Sequence, residues 1–408
     1  MVNGPRQSGK TTLLKSCHTG MDGVFVTLDD PAQLSIARDD PLSFVRRRTK
    51  PVIIDEIQRA GDPLILAIKQ MVDDDWSPGQ FVLSGSTRFL SVPTLSESLA
   101  GRVAFVDLWP FAMSERTGGD GRICDQIFEE PGSVLAGDPS WTREDYIRLI
   151  CQGSYPEVVR LSSRTAIRSW FRGYLDTVIS RDIREFAQIH KAQAIPDLIA
   201  LVAANTGGQL VVSRVANRLG LDAATVRSYL AYLETVFLVA SAPAWSNNLS
   251  SRVTHAPKTY VTDSGLAAYL LDADPEMLLV PGHPGLGELL ETFVFAELLK
   301  LTGFAARETA VRHYRDRDKR EIDFILERRD GRLIGIEVKA SATPKSEDAK
   351  HLRWLRDHLG DRFVAGYVLH LGTTNLASGE KIFITPLSAL WGHAPPGSVL
   401  PSRNTTRR

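Results

Sequence analysis

The sequence predicts an α/β protein of several domains, and three observations lead to this fold class. Short apolar runs alternate with helical patterns over residues 1 to about 130, as in a parallel sheet with crossover helices. Two helical patterns and two strand patterns follow one another at 209–262, which is the order of a winged helix-turn-helix. A mixed α/β pattern then extends from Asp263 to about Gly392. A chain of 408 residues is long enough for each segment to have its own core.

Composition restricts the environment and the partners. Lysine and arginine together number 48, as do aspartate and glutamate, so the net charge indicates neither a nucleic-acid nor a membrane partner. Cys17, Cys124 and Cys151 are far apart, form no CxxC pair and indicate a reducing compartment without structural zinc. No apolar run approaches the roughly 18 residues that a membrane span needs, and the first residues show no signal pattern. We therefore expect a cytoplasmic protein with no membrane partner.

Residues Gly4–Thr11, "GPRQSGKT", match the phosphate-loop pattern G-x-x-x-x-G-K-[ST]. Glycines at both ends let the backbone amides turn towards the β- and γ-phosphates of a nucleotide, and the following helix directs the positive end of its dipole to them. Lys10 supplies a charge to the same phosphates, and the Thr11 hydroxyl is a magnesium ligand. The residues expected to bind ATP here are Gly4, Pro5, Arg6, Gln7, Ser8, Gly9, Lys10, Thr11 and Thr12.

The segment "PVIIDE" at 51–56 is an apolar strand pattern that ends in two acids. We expect Asp55 to hold magnesium and Glu56 to orient or deprotonate the attacking water. The alternative is a buried strand with acids at its surface end. The next strand pattern, "FVLSGSTR", ends in Ser84, Ser86 and Thr87, any of which could sense the γ-phosphate, and Ser86 is our choice. These features predict an ATPase that uses ATP and Mg²⁺.

Several longer segments resemble the AAA-type ATPases of bacteria and archaea that carry a C-terminal, nuclease-like domain of unknown function. They include "GPRQSGKTTL", "VIIDEIQ", "SLAGRVAFVDLWPFAMSE", "YVTDSGLAAYLL" and "EIDFILERRDGRLIGIEVKAS", and the likeness covers nearly the whole chain. The resemblance implies a helical lid over adenine that begins at Gly153–Pro156. It also implies that Arg102 or Arg181 reaches the γ-phosphate, either in the same chain or from a neighbouring subunit. In the second case the protein would form a homo-oligomer. The alternative for each arginine is a surface ion pair.

ATPases of this type have a central strand directly before the phosphate loop, and here only Met1, Val2 and Asn3 precede it. We expect this first strand to be largely missing. A central strand pairs on both sides, so its loss leaves two ladders unpaired and an apolar slot open, at a cost of at least roughly several kcal/mol. Either the start of the protein lies upstream or the chain is a truncated product.

The segment "REIDFILERRDGRLIGIEVKAS" at 320–341 predicts a hairpin that brings acids together. A three-residue loop with Gly331 in the left-handed conformation pairs Arg328 with Arg332 and places Asp323 opposite Glu337. Two carboxylates this close favour a divalent cation between them, so Asp323 and Glu337 are candidate ligands for magnesium. The alternative is a solvated, charge-paired face. The apolar residues expected on the other face are Ile322, Phe324, Leu326, Ile334, Ile336 and Val338.

The D…E-x-K arrangement resembles the core of the restriction-endonuclease-like, or PD-(D/E)xK, nucleases. In such a site Lys339 stabilises charge that develops beside a phosphodiester. The resemblance adds a glutamate from the preceding helix, and Glu291 fits the family pattern better than Glu288. The expected partner is DNA or another nucleic acid; alternatively, the domain binds nucleic acid or protein without cleaving. The predicted catalytic residues of this centre are Glu291, Asp323, Glu337 and Lys339.

These patterns give the expected domain order: an ATPase domain at 1–130, a helical lid at 131–195, a winged helix-turn-helix at 196–262, a nuclease-like domain at 263–392 and a disordered tail at 393–408. The Gly-, Asp- and Pro-rich stretch at 117–141 is typical of a linker or mobile loop. Arg227 and Ser228 are candidate base-reading side chains of the winged helix, which alternatively serves as a protein spacer. We predict that ATP hydrolysis, with Lys10 and Glu56 as catalytic residues, is coupled to nucleic-acid engagement or cleavage. The alternative is a regulatory or scaffold ATPase.

Overall fold

The computed structural model describes residues 1–20, 22–88, 99, 101–119, 121–136, 141–183, 192–247, 252 and 256–391. The chain divides into two compact units, which are taken separately below. The first contains Met1–Pro110 together with two short later segments, one of which is Leu230–Leu238, and the second contains most of the chain from Phe111 onwards. The predicted tail at 393–408 lies outside the described residues.

The first unit is built on a parallel sheet with the strand order β2-β3-β4-β1-β5. Its strands are β1 (Val2–Asn3), β2 (Val24–Thr27), β3 (Val52–Asp55), β4 (Phe81–Gly85) and β5 (Val106–Asp107). The helices that alternate with them are α1 (Lys10–His18), α2 (Pro31–Asp39), α3 (Pro41–Arg46) and α4 (Asp62–Asp74). The sheet is that expected for a phosphate-loop fold, because the loop connects β1 to α1 and the acids follow β3.

Strand β1 is short but paired on both sides. Val2 lies opposite Ser84 of β4 and opposite Val106 of β5. The amide of Leu108 also donates to the carbonyl of Asn3 at 2.7 Å. The expectation of two unpaired ladders is therefore wrong over these residues, because two residues are enough to supply hydrogen-bond partners to both neighbours. Val2 is also buried, in a cluster with Leu14 and Ile53.

The second unit begins with helices and a small antiparallel sheet. The helices are α5 (Met113–Thr117), α6 (Ile123–Glu129), α7 (Arg143–Gln152), α8 (Pro156–Val159), α9 (Arg164–Thr177), α10 (Ile195–Ala203), α11 (Val212–Leu219) and α12 (Ala223–Thr235), the last of which continues into the segment assigned to the first unit. Gly220 ends α11 in the left-handed conformation, and Asp222 caps α12 by accepting from the amide of Thr225 at 2.8 Å. Strands β6 (Gly208–Gln209), β7 (Val239–Ala242) and β8 (Lys258–Val261) pair in the order β6-β8-β7.

The stretch expected to be a linker or mobile loop contains regular structure. Helix α6 and a 3-10 helix at Pro131–Ala136 occupy most of it. The buried guanidinium of Arg328 forms ion pairs with Asp125 at 2.8 Å and Glu129 at 2.7 Å, and it lies 4.1 Å from the ring centroid of Phe128. The expectation was wrong over the described residues because apolar side chains of these short helices, among them Ile127, Phe128 and Val134, are buried.

The last part of the second unit is a mixed six-stranded sheet with the order β13-β14-β12-β11-β10-β9. Its strands are β9 (Thr309–Arg315), β10 (Glu321–Arg328), β11 (Leu333–Lys339), β12 (Phe363–His370), β13 (Leu376–Ala377) and β14 (Ile382–Pro386). Its helices are α13 (Ser264–Leu270), α14 (Pro275–Leu279), α15 (Gly285–Phe304) and α16 (Lys350–Leu359). In the part of the chain that the structure describes, no helix combines the length and the apolar character that crossing a membrane requires.

The hairpin of β10 and β11 has the predicted register. Arg328 donates its amide to Arg332 at 3.1 Å, and Gly331 has a φ of 83°. The predicted apolar face is partly wrong, because Ile322 packs with Ile325 in one cluster while Phe324 stacks on Phe295 elsewhere. The cause is one extra residue in β10 between Ile322 and Ile325, which shifts its pairing with β9 and interrupts the alternation of its side chains.

A buried polar network connects distant segments within the second unit. The ammonium of Lys300 donates to Glu297 at 2.8 Å and to the hydroxyl of Ser154 at 3.1 Å. The amide of Ser154 donates to Asp263 at 2.9 Å, and the amide of Met113 donates to Glu297 at 2.8 Å. Ser154 belongs to the segment that the resemblance assigns to the start of a lid, so this segment is anchored by side chains of α15 and of the residue that precedes α13.

Candidate nucleotide site and carboxylate cluster

The phosphate loop lies between β1 and α1 and is shaped by its glycines. Gly9 has a φ of 97°, which an L side chain rarely adopts, and it immediately precedes the first residue of α1. A Cβ on Gly4 would lie 2.2 Å from the carbonyl oxygen of Leu108, so only glycine fits there. Gln7 is also left-handed, with a φ of 63°. The first turn of α1 contains no acidic residue, and its amides lie at the positive end of the helix.

Lys10 is buried inside this loop. Its ammonium donates to the carbonyl oxygens of Gly4 at 2.9 Å and Pro5 at 2.7 Å, and the residue is 5% exposed. The loop thus holds the ammonium at its centre with main-chain dipoles. Phosphate oxygens carry negative charge and are stronger acceptors than carbonyl oxygens. The phosphates of a bound triphosphate would therefore compete with these two carbonyl groups for the Lys10 ammonium.

Thr11 and Asp55 come together at the end of β3. The Thr11 hydroxyl donates to Asp55 Oδ2 at 2.7 Å, and Asp55 is 1% exposed. The hydroxyl of Ser84 in β4 donates to the other oxygen, Oδ1, of the same carboxylate. The predicted proximity of the two candidate magnesium ligands is therefore present, with Ser84 as an additional partner that fixes the carboxylate.

Glu56 follows directly and has a left-handed backbone, with a φ of 58°. This conformation is costly for a residue with a side chain, and such residues concentrate at functional sites. Its amide donates to the Ser84 hydroxyl at 3.3 Å, and its carboxylate accepts from the Gln58 side chain. The same Gln58 amide donates to the Ser86 hydroxyl at 3.2 Å, which joins the predicted water-activating acid to the predicted sensor.

Sequence reasoning missed Gln58, and it considered Ser84 only as an alternative to Ser86 for the γ-phosphate sensor. The signal for Gln58 is its position two residues after Glu56 in "DEIQ". The signal for Ser84 is that a hydroxyl at the end of one parallel strand lies beside the acid that ends the neighbouring strand. Of the two predicted arginines, Arg102 forms an ion pair with Asp73 at 2.5 Å, and the side chain of Arg181 lies outside the described residues.

The loop fits a nucleotide with its magnesium ion. The Ser8 hydroxyl is buried in the loop with no hydrogen-bond partner, an arrangement that a phosphate oxygen would satisfy. The Thr11 hydroxyl and the Asp55 carboxylate are hard oxygen donors side by side, which is the donor set that magnesium prefers.

The second candidate site is a carboxylate cluster, defined here as Glu291 on α15 and Glu321 and Asp323 on β10. The ammonium of Lys258, on β8, lies among them, 2.9 Å from Glu291 Oε1, 2.9 Å from Glu321 Oε1 and 3.7 Å from Asp323 Oδ1. Lys258 is 3% exposed. Burial opposes its charge, but the surrounding carboxylates outweigh burial and raise the pKa of Lys258. Tyr260 also donates to Glu291 Oε1, at 2.7 Å.

Glu337 and Lys339 lie beside this cluster on β11. The Lys339 ammonium donates to Glu337 Oε2 at 2.9 Å, and Asp323 Oδ2 accepts from the amide of Val338 at 2.8 Å. Burial, followed by the negative charge of Asp323, raises the pKa of Glu337 to about 8. The other oxygen of Glu337, Oε1, is buried without a hydrogen bond and lies 3.8 Å from His351 Nδ1. Burial and Asp323 likewise raise the pKa of Glu291 to about 7.

The predicted residues Glu291, Asp323, Glu337 and Lys339 are thus close together, but the cation among the acids is a lysine that the sequence analysis missed. Within the residues that the structure covers, no group of three or more His, Cys, Asp or Glu side chains is arranged to hold a metal ion. The available signal for Lys258 was a charged residue at the head of the strand pattern "KTYV". A lysine in a buried strand requires an acidic partner.

Three family models match successive parts of the chain. Residues 1–117 match the model of an AAA domain, residues 143–277 match a domain of unknown function (DUF8612), and residues 286–390 match another domain of unknown function (DUF4143). The AAA domain at the amino end and the DUF4143 domain at the carboxyl end support an AAA-type ATPase that binds ATP. The AAA match contains the phosphate loop, Asp55 and Glu56 described above.

Among individual proteins, the chain is 28% identical over 345 residues to an uncharacterized protein of Mycobacterium tuberculosis, covering 84% of this chain and 70% of that protein. An uncharacterized protein of Mycobacterium bovis matches to the same extent. An uncharacterized protein of the archaeon Methanocaldococcus jannaschii is 22% identical over 365 residues, covering 86% of this chain and 77% of that protein. Each of these matches spans more than four fifths of this chain.

Proposed function

We propose that the first unit is a magnesium-dependent ATPase in which Lys10, Thr11, Asp55 and Glu56 carry out hydrolysis. One observation carries the proposal: the buried ammonium of Lys10, the hydrogen-bonded pair of Thr11 and Asp55, and the left-handed Glu56 all belong to one loop and one adjoining strand end. This arrangement matches the needs of phosphoryl transfer, which depends on positioning and charge stabilisation.

Each residue has a distinct role in this proposal. The loop amides and Lys10 bind the β- and γ-phosphates, and Lys10 stabilises the charge that grows on them during transfer. Thr11 and Asp55 hold magnesium, which neutralises phosphate charge when it is bound. Glu56 accepts a proton from, or orients, the water that attacks the γ-phosphorus as ADP leaves. Gln58 fixes the direction of the Glu56 carboxylate and connects it to Ser86, the proposed sensor.

The test separates chemistry from binding with Glu56→Gln. This variant keeps the size of the side chain and removes the basic carboxylate, so we expect ATP turnover to be lost while equilibrium binding of ATP persists. Asp74→Asn, an exposed amide substitution in the same unit, is the matched control. Normal phosphate release by Glu56→Gln, with the control also normal, would remove the proposed role.

The magnesium ligands are tested by titration. Asp55→Asn removes the charge but keeps a hydrogen-bonding side chain beside Thr11 and Ser84. We expect this variant to need at least about tenfold more magnesium for half-maximal turnover. An unchanged magnesium requirement would assign the metal to other groups.

A second candidate function concerns the C-terminal domain. We propose that Glu291, Asp323, Glu337 and Lys339 form a metal-dependent phosphodiesterase centre, and that ATP hydrolysis controls how this domain engages nucleic acid. The observation in its favour is the convergence of these side chains on one hairpin and one helix, with an oxygen of Glu337 buried and lacking a hydrogen bond. The alternative is a regulatory or scaffold ATPase whose C-terminal domain binds nucleic acid or protein without cleaving.

Cleavage is tested directly on plasmid and on single-stranded DNA with magnesium or manganese. Asp323→Ala is the inactive control, because it removes one predicted metal ligand. The assay is run with and without ATP, and we expect the wild-type protein to nick DNA in the presence of ATP and the variant to fail under both conditions. Equal nicking by the two proteins, or nicking by neither, would favour the alternative. DNA binding measured with and without ATP, in both proteins, then shows whether binding is coupled to the nucleotide.

A further inference from the structure

The carboxylate cluster already contains a cation, and that cation comes from outside the nuclease-like fold. Lys258 belongs to the small sheet of β6, β7 and β8, whereas Glu291, Glu321 and Asp323 belong to α15 and β10. Two of the three carboxylates accept hydrogen-bond-length contacts of 2.9 Å from its ammonium. The lysine therefore joins two structural elements through charge, and it contacts two of the acids proposed for the phosphodiesterase centre, Glu291 and Asp323.

The position of Lys258 is held by its neighbour two residues along the same strand face. The ring of Tyr260 stacks on Phe295 of α15 with centroids 4.0 Å apart, and its hydroxyl donates to Glu291 at 2.7 Å. Lys258 and Tyr260 thus bind the same carboxylate oxygen from one strand. Any movement that separates β8 from α15 breaks both contacts at once and withdraws the ammonium from the acids.

The Lys258 ammonium and a divalent metal ion cannot occupy the carboxylate cluster at the same time. A magnesium or manganese ion lies about 2.1 Å from the carboxylate oxygens that bind it. An ion at that distance from Glu291 Oε1 and Asp323 Oδ1 would occupy the space of the Lys258 ammonium and would be repelled by its charge. Once the ammonium is gone, Glu291 and Asp323 lose their nearest cation, and Glu321 keeps only the guanidinium of Arg315, 4.0 Å away. Carboxylates this close to one another then favour a hard cation between them.

We propose that Lys258 is the resident cation of the carboxylate cluster, that it keeps the cluster free of divalent metal, and that the cluster binds Mg²⁺ or Mn²⁺ when the lysine is withdrawn. This inference rests on the proposed phosphodiesterase centre. It adds that metal binding by this centre depends on the position of β8, which carries Lys258. The nuclease-like domain is then inhibited by a strand of its neighbouring small sheet.

The experiment measures Mn²⁺ binding by calorimetry on the full chain without nucleotide. We expect Lys258→Met to bind one additional Mn²⁺ per chain, at least about tenfold more tightly than any site of the wild-type protein. Lys258→Arg keeps the charge and should resemble the wild type. The double variant Lys258→Met/Asp323→Asn should lose the added site.

The matched control is Lys300→Met. Lys300 is another buried lysine, 4% exposed, whose ammonium lies 2.8 Å from the carboxylate of Glu297. The Lys300→Met substitution takes the ammonium away from one ion-paired carboxylate and not from three, so no Mn²⁺ site should appear. If Lys258→Met and Lys300→Met both gain a site, or if Lys258→Met gains none, the inference is wrong.

Poor folding of Lys258→Met does not block the test. A metal that binds only the folded state raises the melting temperature, so Mn²⁺ should stabilise Lys258→Met and the milder Lys258→Gln but not the wild-type protein. Equal stabilisation of all three proteins would overturn the inference. Failure of DNA cleavage in a variant that does gain Mn²⁺ would remove the phosphodiesterase proposal and leave the inference about Lys258 intact.

Discussion

Two buried lysines, Lys10 in the phosphate loop and Lys258 in the carboxylate cluster, are stabilised in different ways. Lys10 donates to the carbonyl oxygens of Gly4 and Pro5, six and five residues away in the chain. Lys258 contacts the carboxylates of Glu291, Glu321 and Asp323, 33 to 65 residues away. Carbonyl dipoles stabilise an ammonium without cancelling its charge, whereas carboxylates cancel it. The first lysine is therefore suited to attract a phosphate, and the second is suited to hold two parts of the fold together.

The largest expected effect is on catalysis, in Lys10→Ala. Loss of this ammonium removes a charge that stabilises the transferring phosphate, so turnover should fall by about 100- to 1000-fold. Phosphate release under saturating ATP measures it. Lys15→Ala, an exposed lysine of the same helix α1, is the control and should stay near wild type. A fall of equal size in both variants would mean that general damage to α1, and not the charge of Lys10, is responsible.

The next effect is on stability, in Lys258→Met. Removing the buried ammonium leaves partly buried carboxylates without their nearest cation, so the free energy of unfolding in a metal-free buffer should fall by about 3 kcal/mol. Denaturant titration measures it, with the exposed Lys350→Met as the control. A loss below about 1 kcal/mol would show that the carboxylates take up protons at little cost. In that case Lys258 would contribute less to holding the fold together than its short distances to the carboxylates indicate.

A smaller effect is expected from Gly4→Ala. The added Cβ would lie 2.2 Å from the carbonyl oxygen of Leu108, so the loop or the segment after β5 must shift, at a cost of about 2 kcal/mol. The shift also displaces the carbonyl oxygen of Gly4 that Lys10 binds, and ATP should bind more weakly. Fluorescent-nucleotide titration and thermal unfolding measure both consequences. Gly20→Ala, whose Cβ would have no neighbour closer than 4.0 Å, is the control; equal results for the two glycines would refute the steric argument.

The smallest effect is expected from Arg102→Ala, which breaks an ion pair that is partly open to solvent. The side chains of Arg102 and Asp73 are 24% and 37% exposed, so the loss of stability should stay below about 1 kcal/mol. The contrast with Lys258→Met isolates the contribution of burial. ATP turnover in the same variant tests the other expectation for this arginine: a tenfold or greater fall would place it at the phosphates of ATP.

The phosphate loop was accessible to sequence reasoning because its chemistry is contained in consecutive residues. Eight positions from Gly4 to Thr11 determine a turn, a helix start and a buried ammonium. Asp55 needed one more step, since parallel strands end at the same edge of a sheet, and the 2.7 Å contact with Thr11 agrees with it. Gln58 escaped because its contacts with Glu56 and Ser86 depend on the 3-10 turn that follows β3.

The carboxylate cluster was only half predictable, because it is assembled from segments far apart in sequence. The hairpin register followed from the turn at Gly331, which fixes every pair along β10 and β11. The extra residue in β10 could not be predicted from this turn, because it arises in the pairing of β10 with β9. Lys258 reaches the acids only through the packing of β8 on α15, which no local pattern encodes. In α6, similarly, burial of Phe128 and its neighbours outweighed a composition typical of loops.

The network of Ser154, Asp263, Glu297 and Lys300 has a consequence for how the second unit comes apart. Each of these groups is at least nine-tenths buried and satisfied by another, so releasing one segment leaves charges stranded in the others. The segments around Met113, Ser154, Asp263 and Glu297 should therefore open together in a single cooperative event. Their amide protons would exchange with solvent at one common rate, and a protease would have to wait for that event before cutting at any of them.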